Sequence, residues 1–371
     1  MRRLAALSIV ENARRLKLRE AVPASIVNIP PALLAELAAK LPYPLTGDQK
    51  TAIREIVADM ASPLPMRRVL SGDVGSGKTF CIMIPALATQ RVGKRAVILT
   101  PNALLADQFV KECKEHFGAD TNVIAVTAAT KKLDLSGNPI LVGTTALLTR
   151  LKGQPAPEFM AVDEEQKMSV TQKVELTGLE SNYLQATATP IPRTTALITH
   201  GAMCVSIIKE MPVAKIITSL IVNANEARRL FDHTRKVISA GGQVAIVYPI
   251  VSDEEQEKKS VVAAYAEWNR LFPGLVGMVH GQMKEAEKLE AVDKLKAGAL
   301  KIAIVSSVIE IGLTLPSLRS LIVVHAERYG TSTLHQLRGR VARRGGNGYF
   351  FMFLPQSISP ETMQRLQLVV T

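Results

Sequence analysis

Aromatic residues make up only 4% of the 371-residue chain, with a single tryptophan. A protein that recognises bases mainly by stacking needs several exposed rings, so this scarcity argues against that mode. Cysteine is equally sparse: Cys81, Cys113 and Cys204. They form no CxxC pair and no zinc-ligand spacing, which leaves buried, reduced thiols as the expectation. No run approaches the ~20 consecutive apolar residues of a membrane span. The apolar stretch at the start stops at Glu11 and is followed by Arg14, Arg15 and Lys17, too short and too charged for a secretory signal. A cytoplasmic location is expected.

Acidic charge is also in deficit. Against 33 Asp and Glu stand 45 Lys and Arg, a formal net charge of +12. Such a surplus favours a polyanionic partner, because Lys and Arg displace the counterions condensed on phosphate. The hydrophobic share is 47%, enough for a sizeable core. At this length two domains of ordinary size are expected.

Hydropathy patterning divides the chain. Residues 1–42 predict a helical lead-in, with apolar spacing from Leu4 to Leu16 and a second helix over Ala32 to Lys40 after Pro30-Pro31. From residue 43 to 208, short apolar runs alternate with helical stretches: Arg68–Leu70, Ala96–Leu99, Asn122–Val126, Ile140–Val142 and Phe159–Val162. From 209 to 371 the pattern restarts with Gln243–Val247, Gly277–Val279, Ile302–Val305, Leu321–Val324 and Tyr349–Phe353. Continuous apolar strands between helices predict an α/β fold: two domains, each a mostly parallel sheet covered on both faces. The acidic and basic stretch Asp253–Lys259 reads as a solvated loop or a helix start.

Three motifs carry chemistry. Gly72-Asp73-Val74-Gly75-Ser76-Gly77-Lys78-Thr79 fits GxxxxGK[ST] and sits between an apolar run and a helical stretch. Its glycines let backbone N–H groups wrap phosphates, Lys78 brings charge to the β and γ phosphates, and the Thr79 hydroxyl can bind Mg²⁺. Phe159-Met160-Ala161-Val162-Asp163-Glu164 predicts a buried strand delivering carboxylates at its C-terminal edge, where open α/β sheets bind ligands. Asp163 is the candidate for Mg²⁺ and Glu164 for polarising the attacking water. His335-Gln336-Leu337-Arg338-Gly339-Arg340-Val341-Ala342-Arg343-Arg344 reads either as a phosphate-backbone patch or as arginines that stabilise a transferring γ-phosphoryl group. The second reading requires a cleft between the two domains to close.

Taken in order, these elements resemble the superfamily-two helicases, and within them RecG, with the transcription-repair coupling factor as a cousin. Tyr43-Pro44-Leu45-Thr46-Gly47-Asp48-Gln49 resembles the element whose Gln contacts adenine. Leu99-Thr100-Pro101 and Val142-Gly143-Thr144-Thr145 resemble the motifs that touch the sugar-phosphate track. Ala186-Thr187-Ala188-Thr189-Pro190-Ile191-Pro192-Arg193 is similar to the long motif that links nucleotide state to DNA grip. Val279-His280-Gly281-Gln282, the segment from Ser306 through Val308-Ile309-Glu310-Ile311-Gly312, and Leu334–Val341 resemble the second-domain motifs.

The resemblance implies two tandem RecA-like P-loop NTPase domains that use ATP and Mg²⁺. The implied activity is that of a DNA-dependent ATPase and helicase or translocase on single-stranded, forked or branched DNA, in replication, recombination or repair. It assigns Lys78, Asp163, Glu164, Gln336, Arg340 and Arg343 to catalysis. It assigns Gln49, residues 72–79 and Gly312 to the nucleotide, and Thr79 and Asp163 to the metal. Thr100, Pro101, Thr144, Thr145, Gln166, Thr187, Thr189, Arg193, His280 and Ser306 fall to nucleic-acid contact or coupling. Without the resemblance, Thr187 and Thr189 read as the end of a strand and Gln49 as a polar residue at a helix start.

The chain departs from the family at several positions. Gln166 stands where motif II has His, Thr314 where an acidic residue is usual, and Ala342 where Gly is usual. Retained hydrolysis with altered coupling and weaker nucleotide affinity is the expectation. The family's wedge domain and C-terminal helical hairpin have no counterpart in these residues. Fork specificity therefore cannot come from them, and a protein partner supplying strand separation is one expectation. Two competing readings remain: an RNA helicase, distinguished by 2′-OH contacts, and a nucleotide-gated DNA clamp with little hydrolysis.

Overall fold

The computed structural model describes residues 24–127, 130, 133–144, 146–151, 153–163, 180–187, 203–249, 254–306, 315, 317–354 and 357–370. The predicted helix near Leu4–Leu16 lies outside them, as do Thr145, Glu164, Gln166, Thr189, Arg193, Gly312 and Thr314. The chain divides into two compact units, Met1–Pro212 and Val213–Thr371. Among the described residues no helix is long and apolar enough to cross a membrane.

The first unit is built on a seven-stranded sheet in the order β3-β4-β2-β5-β6-β1-β7. Its strands are β1 (Arg67–Gly72), β2 (Ala96–Leu99), β3 (Val123–Val126), β4 (Ile140–Gly143), β5 (Phe159–Asp163), β6 (Asn182–Thr187) and β7 (Cys204–Ile208). Every pairing is parallel. The reason lies in residue alternation. All four residues of β2 are buried. Ala96 and Ile98 pack into one apolar cluster, Val97 and Leu99 into another. Phe159 and Ala161 of β5 alternate with Met160 and Val162 in the same way. With successive side chains on opposite faces, a continuous apolar run requires cover on both sides.

The helices are α1 (Pro31–Ala39), α2 (Gly47–Met60), α3 (Lys78–Arg91), α4 (Ala103–Phe117) and the short α5 (Ala146–Arg150). Leu37 of α1, Ile53, Ile56 and Met60 of α2, Phe80, Ile82, Met83, Ile84 and Leu87 of α3 and Phe109 of α4 share one cluster. Residues 80–89 of α3 are buried without a break, so this helix has no solvent face and forms the centre of that layer. Helix α2 is pinned to the sheet by the buried guanidinium of Arg68 on β1. It donates to Glu55 (2.9 Å), Asp59 (2.8 Å) and the Ser206 hydroxyl of β7 (2.8 Å). A buried cation needs such paired and hydrogen-bonded surroundings.

One expectation fails here. Cys81 and Cys113 are buried as predicted, but Cys204 is exposed. It opens β7, which is an edge strand with a neighbour on one side only. On that strand Cys204 and Ile207 are exposed, while Ser206 and Ile208 are buried.

The second unit carries a six-stranded sheet in the order β10-β11-β9-β12-β13-β8, again wholly parallel. Its strands are β8 (Lys215–Asn223), β9 (Gln243–Val247), β10 (Val276–Val279), β11 (Ile302–Val305), β12 (Leu318–Val324) and β13 (Gly346–Leu354). The helices are α6 (Ala227–Ser239), α7 (Glu254–Leu271), α8 (Glu285–Lys296), α9 (Thr331–Gly339) and α10 (Pro360–Val370). Alternation repeats: Ala245, Ala303, Val305 and Leu321 fill one cluster, Val244, Ile246, Ile302 and Ile304 the other.

Candidate functional site

The glycine-rich segment begins where β1 ends, at the C-terminal edge of the first sheet, and leads into α3. Gly75 (φ +89°) and Gly77 (φ +82°) adopt left-handed backbone, which is costly for any residue with a Cβ. Gly77 precedes α3, and no side chain caps that helix. Its first amides therefore point toward the loop, an arrangement suited to an anion. The loop is braced internally by Ser76 N–H to the Asp73 carbonyl (3.1 Å) and Val74 N–H to Asp73 Oδ1 (3.2 Å).

Two polar groups in the loop are placed to meet an anionic ligand. The Ser76 hydroxyl oxygen is buried with no hydrogen-bond partner. The Lys78 ammonium folds back onto the carbonyls of Gly72 (2.5 Å) and Asp73 (3.0 Å). A Cβ on Gly72 would lie 2.6 Å from the Ser76 hydroxyl, so the cradle admits no side chain there. These features fit a bound phosphate chain.

Gln49 serves the same loop. Thr46 caps α2 by accepting from the Gln49 N–H (3.3 Å), and Gln49 Oε1 accepts from the Thr46 N–H (2.9 Å). Gln49 Nε2 then donates to the Ser76 carbonyl (2.7 Å). The side chain is fully buried, so in this structure it holds the phosphate loop. A Cβ at Gly77 would run into Gln49 Nε2. Gly77→Ala combines that clash with the left-handed φ. It is expected to weaken nucleotide binding by about tenfold or more, from roughly 1–2 kcal/mol of backbone strain alone. Titration with a fluorescent ATP analogue checks this, and wild-type affinity in the variant would count against the cradle.

The other residues of the first unit line the same sheet edge. Asp163 ends β5 and Thr187 ends β6. Strand β6 lies between β1 and β5. Asp163 pairs with Ala186, which pairs in turn with Leu70 on β1. The carboxylate is thus two strand spacings, ~10 Å, from the strand that bears the phosphate loop, and Thr187 stands between them. Thr79 lies in the first turn of α3. Among the described residues no group of three or more His, Cys, Asp or Glu could hold a metal. Mg²⁺ does not need one, since it is commonly held by one or two side chains plus substrate phosphates.

Farther along, Thr100 and Thr144 follow the neighbouring strands β2 and β4. Thr100 is buried, and its N–H donates to the Gly143 carbonyl (2.7 Å). Its hydroxyl donates to the Asn102 carbonyl (3.0 Å). Thr144 Oγ1 accepts from the Ala146 N–H (3.3 Å) at the start of α5. Pro101, half-buried, lies between Thr100 and Asn102, the cap of α4.

In the second unit the candidates fall on opposite edges of the sheet. His280 follows β10 and Ser306 follows β11, both buried, at the C-terminal edge. The arginines lie at the other edge. Arg340 caps the C-terminus of α9. The Ala342 N–H donates to the carbonyl of Leu318, the first residue of β12 (2.9 Å). Lys215, the first residue of β8, donates to the Gly339 carbonyl (3.1 Å). Gln336 is one turn upstream of Arg340, and both are buried. Arg343 is half-buried and Arg344 exposed. Arg338 instead ties α9 to α10, because its guanidinium donates to the Val369 carbonyl (2.8 Å). Ala342 sits at φ +51°, which gives a physical reason for glycine there elsewhere.

Sequence reasoning missed Thr46, although Thr46-Gly47-Asp48-Gln49 is a readable capping box. It also missed Asp48, whose partners are Lys209 and Glu210, far along the chain. No local signal marks that pair.

Comparison with known proteins agrees with this layout. Residues 46–198 match the DEAD/DEAH box helicase family and residues 230–345 the helicase conserved C-terminal domain. The ATP-dependent DNA helicase RecG of Synechocystis sp. is 34% identical over 352 residues, covering 90% of this chain and 42% of that protein. RecG of Aquifex aeolicus is 33% identical over 367 residues, covering 93% and 46%. The chain thus spans about half the length of the curated relatives it matches. A solved structure of RecG bound to a three-way DNA junction aligns with a TM-score of 0.75 at 29% identity, covering 96% of this chain and 49% of that one. Dbp5 of S. cerevisiae bound to RNA and ADP BeF3 aligns at 0.67 with 16% identity, a likeness of fold alone. The chain belongs to the superfamily-two helicases, on their RecG branch, and its two parallel-sheet units are the tandem RecA-like domains of that family's motor region.

Proposed function

We propose that this chain is an ATP-hydrolysing motor that moves on DNA. The observation that carries the reading is the cradle at the end of β1. There an uncapped helix start, the orphaned Ser76 hydroxyl and the folded-back Lys78 ammonium converge, with Asp163 at the same sheet edge. In this reading the loop amides and Lys78 bind the phosphates of ATP. Lys78 exchanges the Gly72 and Asp73 carbonyls for phosphate oxygens, which carry more charge and make stronger bonds. Thr79 and Asp163 would hold Mg²⁺, which would supply positive charge to offset that of the bound phosphates. Glu164 orients the attacking water. Arg340 and Arg343, with Gln336, stabilise charge on the transferring group from the second domain. The domain limits proposed with this reading are 43–208 and 209–371, with residues 1–42 as a lead-in; the compact units divide a few residues later, between Pro212 and Val213.

Nucleic acid is proposed to run along the Thr100, Pro101, Thr144 and Thr145 positions, with His280 and Ser306 contributing from the C-terminal edge of the second sheet. Thr187, Thr189, Arg193 and Gln166 relay nucleotide state to that track, and Gly312 contacts the nucleotide. Backbone contacts carry little sequence information, so sequence preference should be weak. The net charge of +12 supports a polyanionic track. Likeness to RecG supports single-stranded, forked or branched DNA as the substrate and the cytoplasm as the place of work.

The test is steady-state ATP hydrolysis with no nucleic acid, single-stranded DNA, duplex, forked DNA and RNA. Stimulation by DNA well above that by RNA is expected. Stimulation by RNA alone would transfer the motor to RNA. DNA binding with no hydrolysis on any substrate would replace the motor with a nucleotide-gated clamp.

A further inference from the structure

We propose that Asp48 and Lys215 are positioning residues that clasp the two ends of the segment joining the domains, so that nucleotide state at the phosphate loop is passed to the arginine edge. The proposal rests on the nucleotide reading above.

The first clasp lies within the first unit. After β7 ends at Ile208, the backbone N–H groups of Lys209 and Glu210 both donate to Asp48 Oδ2, at 2.7 and 2.9 Å. Glu210 Oε2 accepts from the Asp48 N–H in return (3.1 Å). The two amides hold the Asp48 carboxyl below the usual carboxylate range. A Cβ on Gly47 would come within 3.3 Å of both Glu210 carboxylate oxygens, so the approach is close. Asp48 is next to Gln49, which grips the Ser76 carbonyl in the phosphate loop. A movement of that loop therefore has a hydrogen-bonded route to residue 210.

The second clasp lies within the second unit. Lys215 Nζ donates to the carbonyl of Gly339, the residue before Arg340 (3.1 Å). The Gly346 N–H donates to the Ala214 carbonyl (3.0 Å). Gly345, at φ +86°, packs against Val213 and the Ala214 carbonyl with no room for a Cβ. The Arg319 guanidinium donates to the Gly345 carbonyl and fixes the far side of this turn. Residues 213–215 are thus seated against the loop that carries Arg340 and Arg343.

Only Met211 and Pro212 separate the two clasped stretches. Proline fixes its own φ and restricts the residue before it. A connection this short and stiff takes up little slack. The segment leaves the first sheet at its nucleotide edge and enters the second at its arginine edge. Hydrogen bonds that merely finished β7 would not require both ends to be tied to the two halves of the hydrolytic machinery.

The experiment compares the full chain with Asp48→Ala, Asp48→Asn and Lys215→Met. Adenylyl imidodiphosphate is added, and hydrogen exchange is read at residues 339–346 together with nucleotide Kd and the DNA-stimulated kcat. In the wild type, nucleotide is expected to slow exchange at 339–346. In Asp48→Ala and Lys215→Met that response should disappear and kcat should fall about tenfold or more, with Kd within about twofold. Asp48→Asn retains an oxygen that can accept both amides and should keep both responses. A wild-type response and kcat in Asp48→Ala would overturn the proposal. So would a tenfold weaker Kd, which would move Asp48 into the binding site, or loss in Asp48→Asn equal to that in Asp48→Ala. A wild type that binds no nucleotide would instead overturn the motor reading, and this proposal with it.

Discussion

Replacing Lys78 with alanine is expected to lower ATP hydrolysis by about 10²- to 10³-fold while leaving the fold intact. The magnitude is that of removing one preorganised charge from a site where charge develops in the transition state. The ammonium is already at the phosphate loop, held by the Gly72 and Asp73 carbonyls. Little reorganisation is then needed when a phosphate replaces those carbonyls. The side chain is only partly buried and packs into no core cluster, so its loss creates no cavity. Phosphate release and a thermal melt, run side by side, check both parts. Hydrolysis at the wild-type rate would remove Lys78 from the site. A collapsed melting temperature would mean that the lysine holds the loop rather than the ligand.

Arg340→Ala should cost more, about 10³-fold or beyond in kcat, the range found for arginines that act on a transferring phosphoryl group. Its nucleotide Kd should change little, because the phosphate loop belongs to the other unit. Arg340→Lys should recover only a small part of the rate, since an ammonium lacks the planar fork. The neighbouring Arg338 is the internal control. It ties α9 to α10 through the Val369 carbonyl, so Arg338→Ala should lower stability more than catalysis. Single-turnover hydrolysis with saturating ATP and DNA separates the cases. If Arg340→Ala and Arg338→Ala lose stability equally and kcat equally, the row is structural and the arginine reading falls.

Much of the fold was legible because both sheets are buried on two faces. Strands such as Gln243–Val247 and Ile302–Val305 read directly as unbroken apolar runs. The helix predicted over Ala32–Lys40 appears at Pro31–Ala39, and residues 254–259 of the charged stretch open α7. Strand β6 was missed although it is buried throughout, because Asn182, Gln185 and Thr187 break its apolar run. Strands β7 and β8 were missed for another reason. Each is an edge strand, so part of it faces solvent and the continuous apolar signal is lost. Ile216 is 69% exposed while Ser219 on the same strand is 6% exposed. At the site, the phosphate loop was legible because its chemistry is local and spaced along eight residues. The separation of His280 and Ser306 from Arg340 onto opposite sheet edges was not. Sequence order says which strand or helix a residue follows, but here the decisive fact is that α9 leads away from one edge and ends at the other. The Asp48 pairing was also invisible, because nothing near Asp48 announces residues 209 and 210.

The strand order of the first sheet has a consequence for how the protein comes into being on the ribosome. Strand β1 is the first strand of that sheet to be synthesised, yet its neighbours are β6 and β7, the last two. From Gly72 to Asn182 the nascent chain must hold β1, with Val69 and Leu70, without either strand that it pairs with. At elongation rates of about 5–20 residues per second, that wait is on the order of ten seconds. The phosphate loop is therefore made early and becomes competent late, once Asn182–Ile208 has emerged and closed the sheet around it. A nascent chain stalled before that point carries the complete glycine-rich motif and no nucleotide pocket.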